Sequence, residues 1–270
     1  MTGTTRGAAV ELRGVSKSFR TSSGVLPWRR NAKHKVALHA TDLVVPRGSV
    51  TGIIGMNGSG KSTLVRILAT LMLPDTGSAS VFGLDVVRDA AAVRRHVNRV
   101  SVEASFFKSL SPWENLLYSA RLYGSDDNTR ARCESVLSRL GLALDTLDKP
   151  MKQLSRGQQQ KVAIARSLLT APSLLLMDEP TTGLDPRSKR EVQGFIRAMR
   201  EEREVTVLLC THDLAEAEAL CDRVVILDGG RVLADSTPER LCGDAASLED
   251  AFLQLVGRSL NDDAEAPEDD

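Results

Sequence analysis

Short apolar runs alternate with helix-like spacing along much of this chain. Runs typical of buried strands occur in "SVTGIIG" (49–55), "SLLLMDEP" (173–180) and "VTVLLCTH" (205–212), and a helical pattern follows each of them. Two further β-like runs come earlier, in "AVELRGVSKSF" (9–19) and "VALHATDLVV" (36–45). Alternation of strands and helices predicts an α/β fold.

A change of spacing interrupts this α/β pattern. From about 104 to 153 the apolar residues follow a helical period, as in "PWENLLYSARLYG" (112–124), before strand–helix alternation resumes. We therefore expect a helical subdomain at about 104–153 within an α/β domain that spans 10–240. The remaining segments are expected to be a flexible N-terminus (1–9), a C-terminal helix (241–260) and a disordered acidic tail (261–270).

Composition indicates an ordinary globular protein. Hydrophobic residues make up 42% of the 270 residues, and the 35 basic and 35 acidic side chains cancel, so the net charge gives no reason to expect nucleic acid as a partner. The basic loop 20–35 is expected to be solvated rather than to bind lipid or protein. The cysteines form no C-x-x-C pair, which argues against a zinc site or a disulfide framework: Cys133, Cys210, Cys221 and Cys242.

No segment of the sequence has the pattern of a membrane span or a secretory signal. The longest apolar runs fall well short of the roughly 18 residues that a span requires. The start "MTGTTRGAAVELRG" lacks the apolar core of a signal peptide. We expect a chain that remains in the cytosol unless a partner holds it at a membrane.

The stretch "GMNGSGKST" (55–63) fits the phosphate-binding pattern G-x-x-x-x-G-K-[ST], directly after a strand and before a helix. Glycines let successive backbone N–H groups face a phosphate, Lys61 can reach the β- and γ-oxygens, and the Ser62 hydroxyl can bind Mg²⁺. The alternative is a glycine-rich turn that caps a helix. The nucleotide-binding residues predicted here are Gly55, Asn57, Gly58, Ser59, Gly60, Lys61, Ser62 and Thr63.

Two further strands end in candidate catalytic residues. Asp178 and Glu179 follow the strand "LLLM", where Asp178 would hold Mg²⁺ and Glu179 would polarise the water that attacks the γ-phosphate. His212 ends "VTVLLCTH", at the edge of the sheet where doubly wound folds bind ligands, and is expected to contact the γ-phosphate. The alternatives are solvated carboxylates at a strand end and a structural histidine.

The stretch "LSRGQQQK" (154–161) predicts a helix that begins poorly, on Ser-x-Gly. Such a start leaves backbone N–H groups unpaired at the positive end of the helix dipole, which favours an anion. A poorly capped surface helix is the alternative interpretation.

In this order, these motifs resemble those of the ATP-binding-cassette (ABC) family, over about Val10 to Leu260. The resemblance implies a P-loop NTPase core with an antiparallel β subdomain and an inserted helical subdomain. It also implies a head-to-tail dimer in which "LSRGQ" is the signature sequence and contacts ATP held by a second copy or a homologous ATPase subunit. "GLD" at Gly183–Asp185 resembles the D-loop of the family. The signature and D-loop residues implied to bind ATP are Ser155, Gly157, Gln158 and Asp185.

Two positions are less regular. The family places an aromatic residue under the adenine near the end of the first strand, and Phe19 fits, although a core position would also suit it. Where the family has a glutamine that senses Mg²⁺, this chain has "RVSVEASFF", so that Val102 or Glu103 stands in that neighbourhood and Glu103 becomes a candidate metal ligand. Arg156 stands where many members have glycine.

The resemblance extends to a subclass. "GRVLADSTPERL" (230–241) and "SLEDAFLQLVGRSL" (247–260) resemble exporter ATPases of the type-2 group for drugs, polysaccharides and lipids. The implied function is ATP hydrolysis that drives a separate membrane permease, at the cytoplasmic face of the cell membrane, with Trp113–Tyr123 helping to form the permease groove. The alternatives are an importer subunit and a soluble ATP-driven switch that acts on protein or nucleic acid. The transported compound is not encoded in these motifs.

Overall fold

The computed structural model describes residues 7–22, 32–101, 105–123, 129–202, 205–243 and 245–265. Within these ranges the strands are β1 (Ala8–Ser22), β2 (Ala32–Pro46), β3 (Val50–Ile54), β4 (Thr76–Val81), β5 (Leu84–Asp85), β6 (Val97–Val100), β7 (Leu174–Asp178), β8 (Thr206–Thr211), β9 (Arg223–Asp228) and β10 (Arg231–Ser236).

The helices carry the remaining regular structure of the described ranges. They are α1 (Lys61–Leu68), α2 (Ala90–His96), α3 (Pro112–Tyr123), α4 (Thr129–Arg139), α5 (Arg156–Ser167), α6 (Pro186–Glu202), α7 (Leu214–Leu220), α8 (Pro238–Cys242) and α9 (Leu248–Glu265). Short 3₁₀ turns at Leu144–Thr146 and Met151–Gln153 connect α4 to α5.

A six-stranded sheet in the order β10-β9-β3-β8-β7-β6 forms the centre of the fold. All neighbouring strands of this sheet pair in parallel, except that β10 pairs with β9 in the antiparallel direction. Every residue of β3, β7 and β8 is buried. This burial explains their nearly continuous apolar sequences, because strands covered on both faces lose the alternating pattern. The carboxyl ends of β3, β7 and β8 lie next to one another, since these strands are parallel neighbours.

The second sheet is antiparallel and has the order β2-β1-β4-β5. Its long pair β1–β2 runs from the register Val10↔Val45 to Phe19↔Lys35 and beyond. Most of the basic loop expected at 20–35 lies outside the described residues. Apolar residues from both sheets and α1 share one core cluster, which includes Leu12, Leu38 and Ile53.

The segment between β6 and β7 is helical and has a core of its own. Leu116 of α3, Leu137 of α4 and Val162 of α5 meet in this core, together with Met151 and Cys133. The structure therefore shows the α/β fold with an antiparallel sheet and an inserted helical region that the sequence predicts.

The ends of the chain differ from the expected bounds. The first strand already begins at Ala8, within the segment expected to be flexible, and 1–6 and 266–270 lie outside the described residues. A short helix, α8, precedes α9, and α9 extends through Glu265, past the expected end at 260 and into the tail expected to be disordered. None of the helices in the described ranges combines the length and the apolar character needed to cross a membrane.

Candidate functional site

The glycine-rich loop 55–60 connects β3 to α1, as the sequence predicts. Its glycines are required by close contacts: a Cβ on Gly55 would lie 2.0 Å from the carbonyl oxygen of Leu227, and one on Gly60 would lie 2.4 Å from that of Ala37. Gly58 and Gly60 also have φ values of 87° and 110°, in the region that favours glycine. The loop is thus curled tightly against β2 and the end of β9.

The polar side chains of this loop fit a phosphate. Lys61 is buried, and its ammonium donates to the carbonyl oxygens of Gly55 (2.6 Å) and Met56 (3.1 Å), so a cation lies inside the loop. The hydroxyl of Ser59 is buried and has no hydrogen-bond partner among the described residues. An unpaired donor beside a buried cation suits a triphosphate, whose oxygens accept hydrogen bonds. Asn57 is exposed on the same loop, and Thr63 lies in the first turn of α1.

Asp178 ends β7 beside this loop. The Ser62 hydroxyl lies 3.4 Å from one carboxylate oxygen of Asp178, and Arg99 Nη2 lies 3.2 Å from the other. In the described part of the chain no group of three or more His, Cys, Asp or Glu side chains could hold a metal ion. A hydroxyl, one carboxylate and phosphate oxygens nevertheless suit Mg²⁺, which needs few protein ligands when it binds together with a nucleotide. The third predicted ligand, Glu103, lies outside the described residues, as does Val102.

Glu179 and His212, the predicted catalytic pair, lie together. His212 Nδ1 is 3.1 Å from Glu179 Oε1, and the Thr182 hydroxyl donates to Glu179 Oε2 at 3.0 Å. Glu179 has a φ of 49°, unusual for a residue with a side chain, and its backbone N–H donates to the carbonyl of Cys210. Strain of this kind clusters at functional sites, where neighbouring structure enforces it.

Sequence reasoning missed a buried carboxylate behind this pair. Glu216, only 2% exposed, accepts hydrogen bonds from the hydroxyls of Thr181 and Thr211 (both 2.8 Å) and from Gln193 (3.2 Å). Thr181 follows Glu179 by two residues, and Thr211 directly precedes His212. Glu216 therefore ties together the two backbone segments that carry the catalytic pair.

Asp213, next to His212, is held by a second set of contacts. Its carboxylate bonds to the ammonium of Lys189 and accepts from the backbone N–H of Glu216 at the start of α7. Burial alone would raise the pKa of Asp213, but these two hydrogen bonds outweigh it and hold the pKa below its usual value. An ionised cap thus fixes the end of the loop that presents His212.

The structure corrects the expected poor start of α5. Ser155 is the N-cap: its hydroxyl accepts from the backbone N–H of Gln158 (3.2 Å), and the Gln158 side chain accepts from the backbone N–H of Ser155 (2.9 Å). This is a complete capping box, whose signature, Ser followed three residues later by Gln, is visible in the sequence. Among the described residues, no hydrogen bond joins Ser155 or Gln158 to the loop 55–63 of the same chain.

Gly157 and Asp185 meet where α5 contacts the start of α6. A Cβ on Gly157 would lie 2.2 Å from the Ser188 hydroxyl and 3.2 Å from Asp185 Oδ2. Asp185 in turn accepts from the backbone N–H groups of Arg187 and Ser188. The absence of a side chain at position 157 therefore lets the two helix starts pack together.

Phe19, the residue predicted to lie under the adenine, is near the end of β1. It lies partly exposed on β1, and Lys17 Nζ lies 5.9 Å from the centre of its ring. Its paired residue on β2 is Lys35, two residues before Ala37, which contacts Gly60. An exposed aromatic face near the loop remains compatible with the predicted adenine contact.

A groove opens between α3 and the end of β6, with a volume of about 630 Å³. Phe107, Tyr118 and Leu122 line it and are about half or more exposed, and the rings of Phe107 and Tyr118 meet edge to face. Asn115 fixes the floor through hydrogen bonds in both directions with the backbone of Phe107. Arg99, the partner of Asp178, is also part of its lining.

Comparison with known proteins shows the family to which this chain belongs. A family model described as ABC transporter matches residues 38–182, more than half of the chain. The chain belongs to the ABC transporter family. The match begins on β2 and ends beyond Glu179, so it includes both the phosphate loop and the strand that carries the carboxylates.

Individual relatives of this ABC chain are also similar over most of its length. It is 44% identical over 226 residues to the daunorubicin resistance ATP-binding protein DrrA3 of Streptomyces coeruleorubidus, covering 83% of this chain and 71% of that protein. It is 42% identical over 231 residues to the daunorubicin/doxorubicin resistance ATP-binding protein DrrA of Streptomyces peucetius, covering 85% and 68%.

A solved dimeric ATP-binding cassette, in a post-hydrolysis state with ADP and Pi, is 28% identical with a TM-score of 0.73, and the match covers 84% of this chain and 98% of that one. These findings confirm the predicted ABC fold and the predicted activity: the chain is an ATP-binding ABC subunit and an ATPase.

Proposed function

We propose that this ABC subunit works as a pair of copies that close around two ATP molecules and drive a separate membrane permease. The observation that carries the proposal is the division of the site. Lys61, Asp178 and Glu179 gather at one edge of the central sheet, whereas the signature helix α5 is capped by its own Gln158 and bonds to none of the described residues of that loop. The dimeric solved relative supports the idea that a second copy completes the site.

Each side chain then has a chemical role in hydrolysis. Lys61 and the loop N–H groups bind the phosphates. Ser62 and Asp178 would hold Mg²⁺, which would supply neutralisation of the phosphate charge. Glu179, fixed by Thr182 and His212, orients the attacking water, and His212 contacts the γ-phosphate. Ser155 and Gly157 of the second copy bind the γ-phosphate from the other side, while Gln158 and Asp185 shape that surface.

Closure and reopening follow from this division. The γ-phosphate bridges two positively polarised backbone regions, one in each copy, and its loss removes the contact that holds them together. Because α5 packs on α6 and on the helical core, movement of the signature surface carries the helical region with it. ATP binding and hydrolysis would thereby move the groove beside α3.

We infer that the groove beside α3 receives a cytoplasmic helix of the permease. Exposed apolar side chains at Phe107, Tyr118 and Leu122 suit the apolar face of a helix, and Arg94, which also lines the groove, suits an acidic residue on that helix. Docking there would hold the subunit at the cytoplasmic face of the membrane without a span of its own.

We propose export as the direction of transport. The support is similarity to two proteins named for resistance to daunorubicin and doxorubicin, at 44% and 42% identity. An importer subunit is the alternative within transport, and a soluble switch is the alternative outside it. The permease determines which compound is carried.

Recovery of the permease from membranes tests this function. Tagged Glu179→Gln protein, loaded with Mg·ATP and extracted in mild detergent, is expected to carry a multi-span membrane protein in fixed stoichiometry. The matched variant Glu179→Gln/Tyr118→Glu, which places a charge in the groove, should lose that protein while still binding ATP. Recovery of a soluble protein or nucleic acid instead, unaffected by Tyr118→Glu, would favour the switch and contradict the transport proposal.

A further inference from the structure

Arg99, which was not predicted as a site residue, contacts the predicted metal ligand Asp178. Its guanidinium lies 3.2 Å from Asp178, the carboxylate assigned to Mg²⁺, and the two side chains are 22% and 5% exposed. Within the described residues, the Arg99 side chain donates a hydrogen bond to Asp178, and the Nε atom of Arg99 is buried without a partner. In the part of the chain that the structure describes, Asp178 is thus the one side-chain hydrogen-bond acceptor of the Arg99 guanidinium.

The position of Arg99 on β6 places it between two surfaces. It pairs with Leu176 in the strand that ends at Asp178, and it lines the groove bounded by α3. It also lies three residues before Val102, in the stretch where this sequence lacks the glutamine expected from the family resemblance. One side chain thus touches both the metal carboxylate and the groove.

A guanidinium and Mg²⁺ oppose each other at one carboxylate. Both are cations, and the low exposure of Asp178 means that water screens their repulsion poorly. Binding of Mg²⁺ must therefore either weaken the Arg99–Asp178 contact or overcome the repulsion between the metal and the positive charge of Arg99. By linkage, anything that draws Arg99 toward the groove also favours the metal, and the metal favours that displacement of Arg99 equally.

We propose that Arg99 is a positioning residue that binds Asp178 in the free subunit and thereby opposes the binding of Mg²⁺ to this carboxylate. When a partner occupies the groove, Arg99 is drawn away from Asp178 and the metal binds more readily. The proposal rests on the proposed function, because it takes Asp178 as the metal ligand and the groove as the docking surface. In this chain, which lacks the glutamine of the family, Arg99 would couple the nucleotide site to the partner in the groove. A purely structural role, as the counter-ion that lets Asp178 be buried, is the alternative.

Metal dependence of nucleotide binding distinguishes these roles. The thermal stabilisation by ATP is measured as Mg²⁺ is titrated from zero, for wild type, Arg99→Met and Arg99→Gln. Both neutral variants are expected to reach half of the stabilisation at severalfold lower Mg²⁺, and Arg99→Lys, which keeps the charge, is expected to remain close to wild type. Arg99→Gln can still donate a hydrogen bond to Asp178, so it covers the case in which Arg99→Met does not fold.

Arg94→Met is the matched control, because Arg94 lines the same groove but bonds to the carbonyl of Ala90 instead of Asp178. It should leave the metal requirement unchanged. An unchanged or higher requirement in folded Arg99→Gln would overturn the proposal. That result would leave the proposed function intact, since the function fails separately if Glu179→Gln protein with Mg·ATP does not dimerise.

The link to the groove has its own test. Ser119 and Arg99 both line the groove, so the carboxylate introduced by Ser119→Glu is expected to draw Arg99 toward the groove and away from Asp178. It is expected to lower the Mg²⁺ requirement of wild type severalfold and to have no effect in the Arg99→Gln background. Equal effects of Ser119→Glu in both backgrounds would show that the groove does not act on the metal site through Arg99.

Discussion

At the scale of single residues, the proposed catalytic groups are held in place by neighbouring residues of the same chain. Lys61 is bonded to loop carbonyls, and Glu179 is bonded to Thr182 and to His212. Such prior ordering lowers the cost of reaching the reactive geometry, because the side chains lose little further freedom on binding. The strained backbone at Glu179 belongs to the same arrangement.

Lys61→Ala tests the phosphate loop most simply. Removal of the buried ammonium should abolish the rise in melting temperature that ATP gives the wild-type protein, because a ligand stabilises only the state it binds. Lys152→Ala, at an exposed lysine on the 3₁₀ turn before α5, is the control and should keep the full rise. A normal rise in Lys61→Ala would exclude Lys61 from phosphate binding.

At the scale of secondary-structure elements, Glu216 explains how Glu179 and His212, the proposed catalytic pair, keep their geometry. The Glu216 carboxylate joins α7 to β8, to α6 and to the turn after β7 through three side-chain donors. Buried donors that lose their acceptor each cost about 1–3 kcal/mol. The carboxylate is therefore both a structural link and a support for Glu179 and His212.

Glu216→Ala is expected to lower the free energy of unfolding by about 3 kcal/mol, because the hydroxyls of Thr181 and Thr211 would stay buried without their acceptor. The ATPase rate should fall as well, since both catalytic segments lose a support. Glu218→Ala, on the exposed side of α7, should change the unfolding free energy by less than about 0.5 kcal/mol. If urea titrations give the same free energy of unfolding for the two variants, the role given to Glu216 is wrong.

The elements also show what the sequence could and could not predict. β3, β7 and β8 and the loop 55–63 were predictable, because contiguous residues specify a buried strand or a phosphate loop. Arg99 and Glu216 were not, since their partners are brought close only by strand pairing and helix packing. The start of α5 was misjudged although its signal was local: the spacing of Ser155 and Gln158 is that of a capping box.

At the scale of the whole molecule, the account depends on two incomplete half-sites. The phosphate loop, Asp178 and Glu179 share one edge of the central sheet, and α5 presents a capped N-terminus at the junction with α6. Because Ser155 already caps its own helix, its variants must separate loss of the cap from loss of the phosphate contact. Ser155→Asp achieves this, since aspartate caps helices as well as serine does but repels the γ-phosphate.

The most direct measurement is the molecular mass of Glu179→Gln protein in solution at saturating Mg·ATP. The account predicts the mass of two chains for Glu179→Gln, and the mass of one chain for Glu179→Gln/Ser155→Asp at unchanged thermal stability without nucleotide. A dimer that forms equally well with Ser155→Asp, or a Glu179→Gln protein that stays monomeric with and without its permease, would contradict the two-copy site.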